Sequence, residues 1–349
     1  MSIEISQDTK PKLTENSPNT PVQKRVFSGV QPTGNIHLGN YLGAIRNWVA
    51  AQAEYDNIFC IVDLHAITMP IDPKELHTNT RKLAALYLAC GLDPHYCKLF
   101  VQSHVHEHAE ASWIMNCYTP MGWLNRMTQF KSKAGDHTDT VSTGLYCYPV
   151  LMACDILLYQ TNFVPVGDDQ RQHIELTRDL AQRFNGLYNK PIFTIPEGQI
   201  RQVGARIMAL DDPTSKMSKS AVNPASRINL LDDPKTIKQK IGRATTDSER
   251  VAKFDSQRPG ITNLLTIYQM LTEKSQVEIE AEFDGAGYGA VKAALTEQLV
   301  ATLEPIQKRY YELMNDQSTL ESILKQGADE VRPIAAATLQ NIKNVIGLG

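Results

Sequence analysis

Short apolar runs rich in β-branched residues alternate with helical patterns over the first part of the chain. Val26–Gln31 has the pattern of a strand, and a helix is expected from His37 to about Tyr55. A second buried run over Asn57–His65 carries Ile58, Phe59, Ile61 and Val62. The pattern then predicts a helix over Pro73–Cys90, with its proline in the first turn and Gly91 as its stop. Lys98–Gln102 is a third strand and Phe163–Val166 a fourth. This β-α-β-α-β order predicts a parallel sheet wrapped by helices. In such folds ligands sit beyond the carboxyl ends of the strands.

After about residue 222 the strand patterns stop. Helical patterns cover about 234–242, 259–273, 275–282, 286–317 and 330–346. The expected architecture is α/β: a doubly wound, Rossmann-like parallel-sheet domain over 25–221, followed by an all-helical domain over 222–349. The last helix is a candidate to pack back on the first domain. Residues 1–24, rich in Pro, Ser, Thr and Asn, read as a disordered polar tail.

Composition narrows the function classes. The 349 residues are 42% hydrophobic and 21% charged, which allows a packed core. No apolar run approaches the roughly 18–20 residues of a membrane span. The first 25 residues hold no apolar stretch, and Glu4, Asp8 and Glu15 interrupt any transit-like pattern, so a cytoplasmic protein is expected. Six cysteines without a Cys-x-x-Cys pair read as free thiols. A net charge of −3 argues against non-specific coating of nucleic acid, but leaves room for a local basic surface. His104, His106 and His108 alternate; without a His-Glu-x-x-His pattern a strand-to-helix junction explains them, and no metal site is expected.

Two segments carry candidate phosphate chemistry. Ser28-Gly29-Val30-Gln31-Pro32-Thr33-Gly34-Asn35-Ile36-His37-Leu38-Gly39-Asn40 has the glycine spacing of a Walker loop, but lacks its Lys and Ser/Thr. It reads instead as a turn into a helix start, whose free N–H groups suit a phosphate. Gly39 leaves room for a flat ring, and His37 can donate to a phosphoryl oxygen. An ordinary strand–turn–helix junction is the plain alternative. Far downstream, Ser215-Lys216-Met217-Ser218-Lys219-Ser220 reads as a mobile loop whose two lysines could hold a leaving pyrophosphate. A solvated basic loop is its plain alternative.

Between them, Tyr148, Met152, Asp155 and Tyr159 are spaced by 4, 3 and 4, which places them on one helix face. Asp155 sits among Val150, Leu151, Ile156, Leu157 and Leu158, so it requires a partner. That partner is either a structural ion pair or hydrogen bond, or a ligand N–H. Val166-Gly167-Asp168-Asp169-Gln170 closes a strand and opens a helix. One of its acids can cap that helix, and acids also suit ribose hydroxyls or an ammonium better than phosphate.

Together these segments resemble the bacterial-type tryptophanyl-tRNA synthetases over about residues 25–349. His37-Leu38-Gly39-Asn40 is similar to the first class I signature, with Asn40 where the namesake spelling has His. Lys216-Met217-Ser218-Lys219-Ser220 matches the second, roughly 180 residues downstream. Tyr148-Pro149-x-Leu151-Met152-Ala153-x-Asp155 resembles the amino-acid pocket helix of that family, which implies that Asp155 accepts from an indole N–H. The resemblance further implies ATP as substrate, Mg2+ carried on its phosphates, tRNA(Trp) as partner, a homodimer and no membrane. It implies that His37, Asn40, Lys133, Lys216 and Lys219 stabilise the phosphates. ATP contacts are implied for Gln31, Pro32, Thr33, Gly39, Gly167, Asp168, Asp169, Met217, Ser218 and Ser220, and for the backbone near Ile207 in a strand over Gly204–Met208. Tryptophan contacts are implied for Tyr148, Met152, His65, Gln129 and Gln170. Thr245-Thr246-Asp247-Ser248-Glu249 and Pro259-Gly260-Ile261-Thr262-Asn263 resemble landmarks of the anticodon-binding region, and Lys235, Lys238, Lys240 and Arg243 form a basic cluster or a plain solvated face. A tyrosyl-tRNA synthetase, a small nucleotidyltransferase and a non-catalytic RNA binder are the rival readings.

Overall fold

Five described strands form one parallel sheet in the order β3-β2-β1-β4-β5: β1 (Arg25–Val30), β2 (Asp56–Ile61), β3 (Cys97–Val101), β4 (Phe163–Pro165) and β5 (Glu197–Gln199). The computed structural model describes residues 23–128, 142–167, 170–199, 206–219 and 221–349. Val26 pairs with both Asn57 of β2 and Phe163 of β4, so β1 is central. The chain leaves β3 on one side of β1 and returns as β4 on the other. That reversal opens a crevice at the carboxyl ends of β1 and β4, where open α/β sheets bind ligands. The short strand β5 was not legible in the sequence, since Glu-Gly-Gln lacks β-branched residues.

The expected helix from His37 to Tyr55 is shorter and not uniform. It consists of α1 (Leu38–Asn40), a π-helical turn (Tyr41–Ile45) and α2 (Arg46–Ala50). Such π turns mark functional sites often enough to be informative. Strand β2 stops at Ile61, and α3 (Asp63–Ala66) follows, so His65 lies on a helical turn rather than a strand. In α4 (Pro73–Ala89), Asp72 caps the start by accepting from the amides of Lys74 at 2.8 Å and Glu75 at 3.1 Å. Gly91, at φ +105°, stops it in a conformation that only glycine adopts freely. The next helices are α5 (Glu107–Tyr118), α6 (Met121–Leu124), α7 (Thr143–Leu157) and α8 (Arg171–Tyr188).

The later part is helical: α9 (Pro234–Arg243), α10 (Pro259–Thr272), α11 (Gln276–Glu282), α12 (Gly287–Asn315) and α13 (Gln317–Ile346). The last helix begins well before the expected residue 330. It lies directly on β3, where a Cβ on Gly327 would collide with the Leu99 carbonyl oxygen. Its Ala328, Val331, Ala335, Leu339 and Ile342 are buried in one apolar cluster with Phe27 and Phe100 of the sheet and Ile114 of α5. Arg332 donates to the His104 carbonyl at 2.9 Å, and Lys343 pairs with Glu110 at 2.9 Å.

Candidate active site

Past Val30 the chain turns at Gly34, whose φ of +66° favours glycine. Residues 36–38 are then clasped by residues 228–230: the Leu38 amide donates to the Ile228 carbonyl at 2.8 Å, and the Leu230 amide to that of Ile36 at 3.1 Å. This clasp leaves His37 only 3% exposed. The Asn40 Oδ1 accepts from the His37 amide at 3.2 Å, which fixes the helix start. A Cβ on Gly39 would lie 3.1 Å from two atoms of the His37 ring, so the ring occupies space that a side chain would contest. Burial, reinforced by the positive charges of Lys219, Arg227 and Lys216, brings the His37 pKa down to about 4. His37 therefore offers a neutral N–H at neutral pH, not a charge. Its buried Nδ1 has no partner among the described residues.

The two-lysine segment was expected to be a mobile loop. Its base is instead a small antiparallel pairing: Met208 bridges Lys216, the Met217 amide donates to the Ile207 carbonyl at 3.1 Å, and that of Ala209 to Ser215 at 2.8 Å. Asp212 closes the turn by accepting from the Thr214 amide at 3.1 Å and hydroxyl at 2.6 Å. Met217 is buried and anchors the loop, while Lys216 stays exposed. The Lys219 ammonium donates to the Thr33 carbonyl at 3.3 Å, which brings the second signature onto the first. Burial pulls the Lys219 pKa below the ordinary lysine value.

The helical part supports this base. Asn263 of α10 accepts from the Met208 amide at 2.9 Å and donates to its carbonyl at 3.1 Å. The Thr245 amide donates to the Leu210 carbonyl at 2.8 Å, and a Cβ on Gly260 would collide with the Thr245 carbonyl oxygen. Asp247 accepts from Arg258 Nε at 3.1 Å and also from the Tyr288 hydroxyl. Both segments that resembled anticodon-region landmarks thus brace the lysine loop. Of the basic cluster, Lys240 pairs with Asp232 at 2.5 Å, whereas Lys235, Lys238 and Arg243 are exposed.

A cavity of about 740 Å³ is lined by His37, Gly39, Asn40, Trp48, Ile207, Lys216, Met217, Ser218 and Lys219. Gly43, Ala44 and Asn47 join this wall, because the π turn and α2 run along it. A second cavity of about 530 Å³ is lined by Phe27, Gln31, Thr33, Val62, His65, Tyr148, Met152, Asp155 and Gln170. The two share Pro165, Val166, Gly167 and Lys219, so they form one continuous site over the crevice between β1 and β4. Pro32 does not join them; it lines a separate cleft of about 190 Å³ with Asn79, Lys82 and Tyr310. Its neighbours Gln31 and Thr33 do line the second cavity. Gln129, Lys133, Asp168, Asp169 and Ser220 lie outside the described residues, as do Gly204 and Ala205 of Gly204–Met208. Of that last segment, Met208 forms a single bridge rather than a strand.

Asp155 is 2% exposed at the floor of the second cavity. Its Oδ2 lies 2.7 Å from His65 Nε2; its Oδ1 lies 2.6 Å from His108 Nδ1 and accepts from Gln102 Nε2 at 2.6 Å. Burial alone would raise its pKa, but His65 and His108 overcome that and hold the carboxyl well below the usual range. The carboxylate therefore has the structural partners of the first alternative, and it also lines a cavity. Tyr148 donates to or accepts from His173 Nε2 at 2.8 Å, and its ring stands edge-on to His65 with centroids 6.1 Å apart. Met152 completes the wall. Tyr159 was expected on the same helix face, but α7 ends at Leu157. The Tyr159 hydroxyl turns to His108 Nε2 at 2.7 Å instead, behind the cavity.

Gln102 and His108 were missed as site residues. His104, His106 and His108 alternate in the sequence, but His104 is exposed and His108 fully buried. Among the described residues no cluster of three His, Cys, Asp or Glu is arranged to hold a metal. The one available signal was that a buried carboxylate at Asp155 demands donors, and these come from β-strand ends remote in sequence.

The chain matches the family described as tRNA synthetases class I (W and Y) over residues 21–304. It is 56% identical over 327 residues to a tryptophan--tRNA ligase of Wolinella succinogenes, covering 94% of this chain and 99% of that one. Among solved structures it is similar to tryptophanyl-tRNA synthetase from Mycoplasma pneumoniae, at 39% identity and a TM-score of 0.82, over 94% of this chain and 98% of that one. It is likewise similar to the Campylobacter jejuni enzyme complexed with ADP and tryptophan, at 37% identity and a TM-score of 0.82, over 93% of this chain and 100% of that one. With a parallel sheet, both signatures on one cleft and a cavity whose described residues include one carboxylate, the chain belongs to the bacterial-type tryptophanyl-tRNA synthetases of class I.

Proposed function

We infer that this chain activates L-tryptophan with ATP and passes the tryptophanyl group to tRNA(Trp). A tryptophan carboxylate oxygen attacks the α-phosphorus, and the bond to the pyrophosphate oxygen breaks with its electron pair. A terminal ribose hydroxyl of tRNA then attacks the activated carbonyl and AMP leaves. The observation that carries this reading is the junction of two unlike cavities at Gly167 and Lys219. One presents lysines and a helix start to phosphates; the other presents apolar walls and, among its described residues, one carboxylate to an indole.

The residue roles follow from that division. The first step needs alignment and charge stabilisation more than a protein nucleophile. Lys216 and Lys219 would take up charge on the leaving pyrophosphate, and the neutral His37 and Asn40 would donate to phosphate oxygens. The Ile207–Met208 backbone, Gly39 and Gly167 would border the nucleotide, with Met217 and Ser218 behind it. Lys133, Asp168, Asp169 and Ser220 keep the nucleotide-side roles that the resemblance implies. On the amino-acid side, Asp155 would accept from the indole nitrogen, with Tyr148, Met152, His65, Gln170 and Gln129 around the substrate. The described residues lining the nucleotide cavity include no carboxylate, so Mg2+ would travel on the ATP phosphates and supply charge neutralisation there.

The proposed assembly is a cytoplasmic homodimer. Trp113, Met121 and Leu187 are 73%, 65% and 55% exposed, apolar surface that a second copy would cover. No described helix is long and apolar enough to cross a membrane. ATP–pyrophosphate exchange tests the central reading: it should depend on tryptophan and not on tyrosine. Exchange with tyrosine alone would favour the tyrosyl rival, and no adenylate formation with either would favour a non-catalytic RNA binder. Sedimentation at micromolar concentration tests the dimer.

A further inference from the structure

Behind Asp155 lies a buried chain of polar groups that does not touch the cavity. His108 is fully buried, with Nδ1 on Asp155 Oδ1 at 2.6 Å and Nε2 on the Tyr159 hydroxyl at 2.7 Å. A carboxylate only accepts, so Nδ1 carries the hydrogen; in the neutral ring Nε2 then accepts the Tyr159 O–H. Tyr159 is itself locked, stacked on Phe27 with centroids 5.7 Å apart and edge-on to Phe100 at 5.9 Å. Gln102 also donates to Oδ1, while its Oε1 accepts from the Leu64 amide at 3.1 Å beside His65.

The count of lone-pair positions gives this chain a purpose. A carboxylate offers about four acceptor positions. Among the described residues, Gln102 and His108 fill both on Oδ1, and His65 fills one on Oδ2. One position on Oδ2 remains, at a residue that lines the cavity.

We propose that His108, set by Tyr159, is a positioning residue for amino-acid specificity: it saturates the rear oxygen of Asp155 so that one acceptor position, in one orientation, faces a single ligand N–H. This rests on the reading of Asp155 as acceptor of the indole nitrogen. Without His108, the carboxylate can rotate about its χ angles and redistribute its donors, and the aimed acceptor position is lost. The low dielectric around it makes both the satisfied network and its disruption count for more than in water.

The test compares tryptophan with β-(3-benzothienyl)alanine, which keeps the shape but has sulfur in place of the indole N–H. Adenylate formation is followed with both for wild type, His108→Leu, His108→Asn and Tyr159→Phe. In wild type the ratio of kcat/KM strongly favours tryptophan. His108→Leu should lower that ratio about tenfold, through KM for tryptophan, with kcat at saturating tryptophan and KM for ATP changed less than about twofold. His108→Asn, whose amide nitrogen replaces Nδ1, should recover most of the ratio, and Tyr159→Phe should lose about threefold. An unchanged ratio in both His108→Leu and Tyr159→Phe overturns the proposal. Equal losses for both amino acids overturn it too, since they show general damage. If wild type itself does not separate the two amino acids, the acceptor reading of Asp155 falls first, and this proposal with it.

Discussion

His65 Nε2 lies 2.7 Å from Asp155 Oδ2, although 90 residues separate them. His65 is carried by α3 just beyond β2, and Asp155 by α7 just before β4. The pair therefore forms only when β2 and β4 flank β1, and it marks the floor of the amino-acid cavity.

Asp155→Asn is expected to raise KM for tryptophan by about 30-fold or more, while KM for ATP stays within about threefold. The amide turns an NH2 toward His65 or toward His108 and Gln102, and a donor replaces an acceptor at a buried site. Pyrophosphate exchange at varied tryptophan measures it. An unchanged KM for tryptophan removes Asp155 from substrate recognition.

Lys219→Ala should slow adenylate formation by about a hundredfold or more, with tryptophan affinity altered less than about threefold. Lys219 borders both cavities, and its ammonium sits at the Thr33 carbonyl, in the segment whose resemblance implies ATP contact. Single-turnover rates alongside equilibrium tryptophan binding separate the two effects. Parallel losses in rate and affinity contradict a leaving-group role.

The depressed pKa of His37, near 4 against an ordinary 6.5, predicts a stability signature. The unfolded chain takes up the proton first, so the folded state loses stability as pH falls from about 6.5 to 4. The ceiling on this loss is on the order of 3 kcal/mol. His37→Gln lacks that proton, so its stability should fall less over this window than wild type's in matched denaturant titrations. Identical pH dependence in the two proteins refutes the shift.

Gly327→Ala tests the return of the last helix onto the sheet. The added methyl meets the Leu99 carbonyl oxygen of β3, so backbone must move. A loss of about 1–3 kcal/mol is expected in thermal or urea unfolding. Ala328→Gly is not a suitable control, because it removes a buried methyl; Gln326→Ala, on the exposed face, should cost less than about 0.5 kcal/mol. Full stability in Gly327→Ala disproves that close approach.

Local pattern determined much of this protein before any coordinates. Alternating apolar and helical stretches specify a parallel sheet followed by helices, because strand and helix periods are written residue by residue. His37 to Asn40 and Lys216 to Ser220 announce phosphate chemistry by residue type and order. Other features are set by contacts between distant segments, which no local period records. The clasp of residues 228–230 over His37 decides that this imidazole is neutral. The π turn at Tyr41–Ile45 puts Asn47 and Trp48 on the cleft wall. Gln102 and His108, which follow β3, meet Asp155 of α7, with Tyr159 behind His108, only because the fold packs these segments together, and a buried carboxylate takes its donors from wherever the fold delivers them.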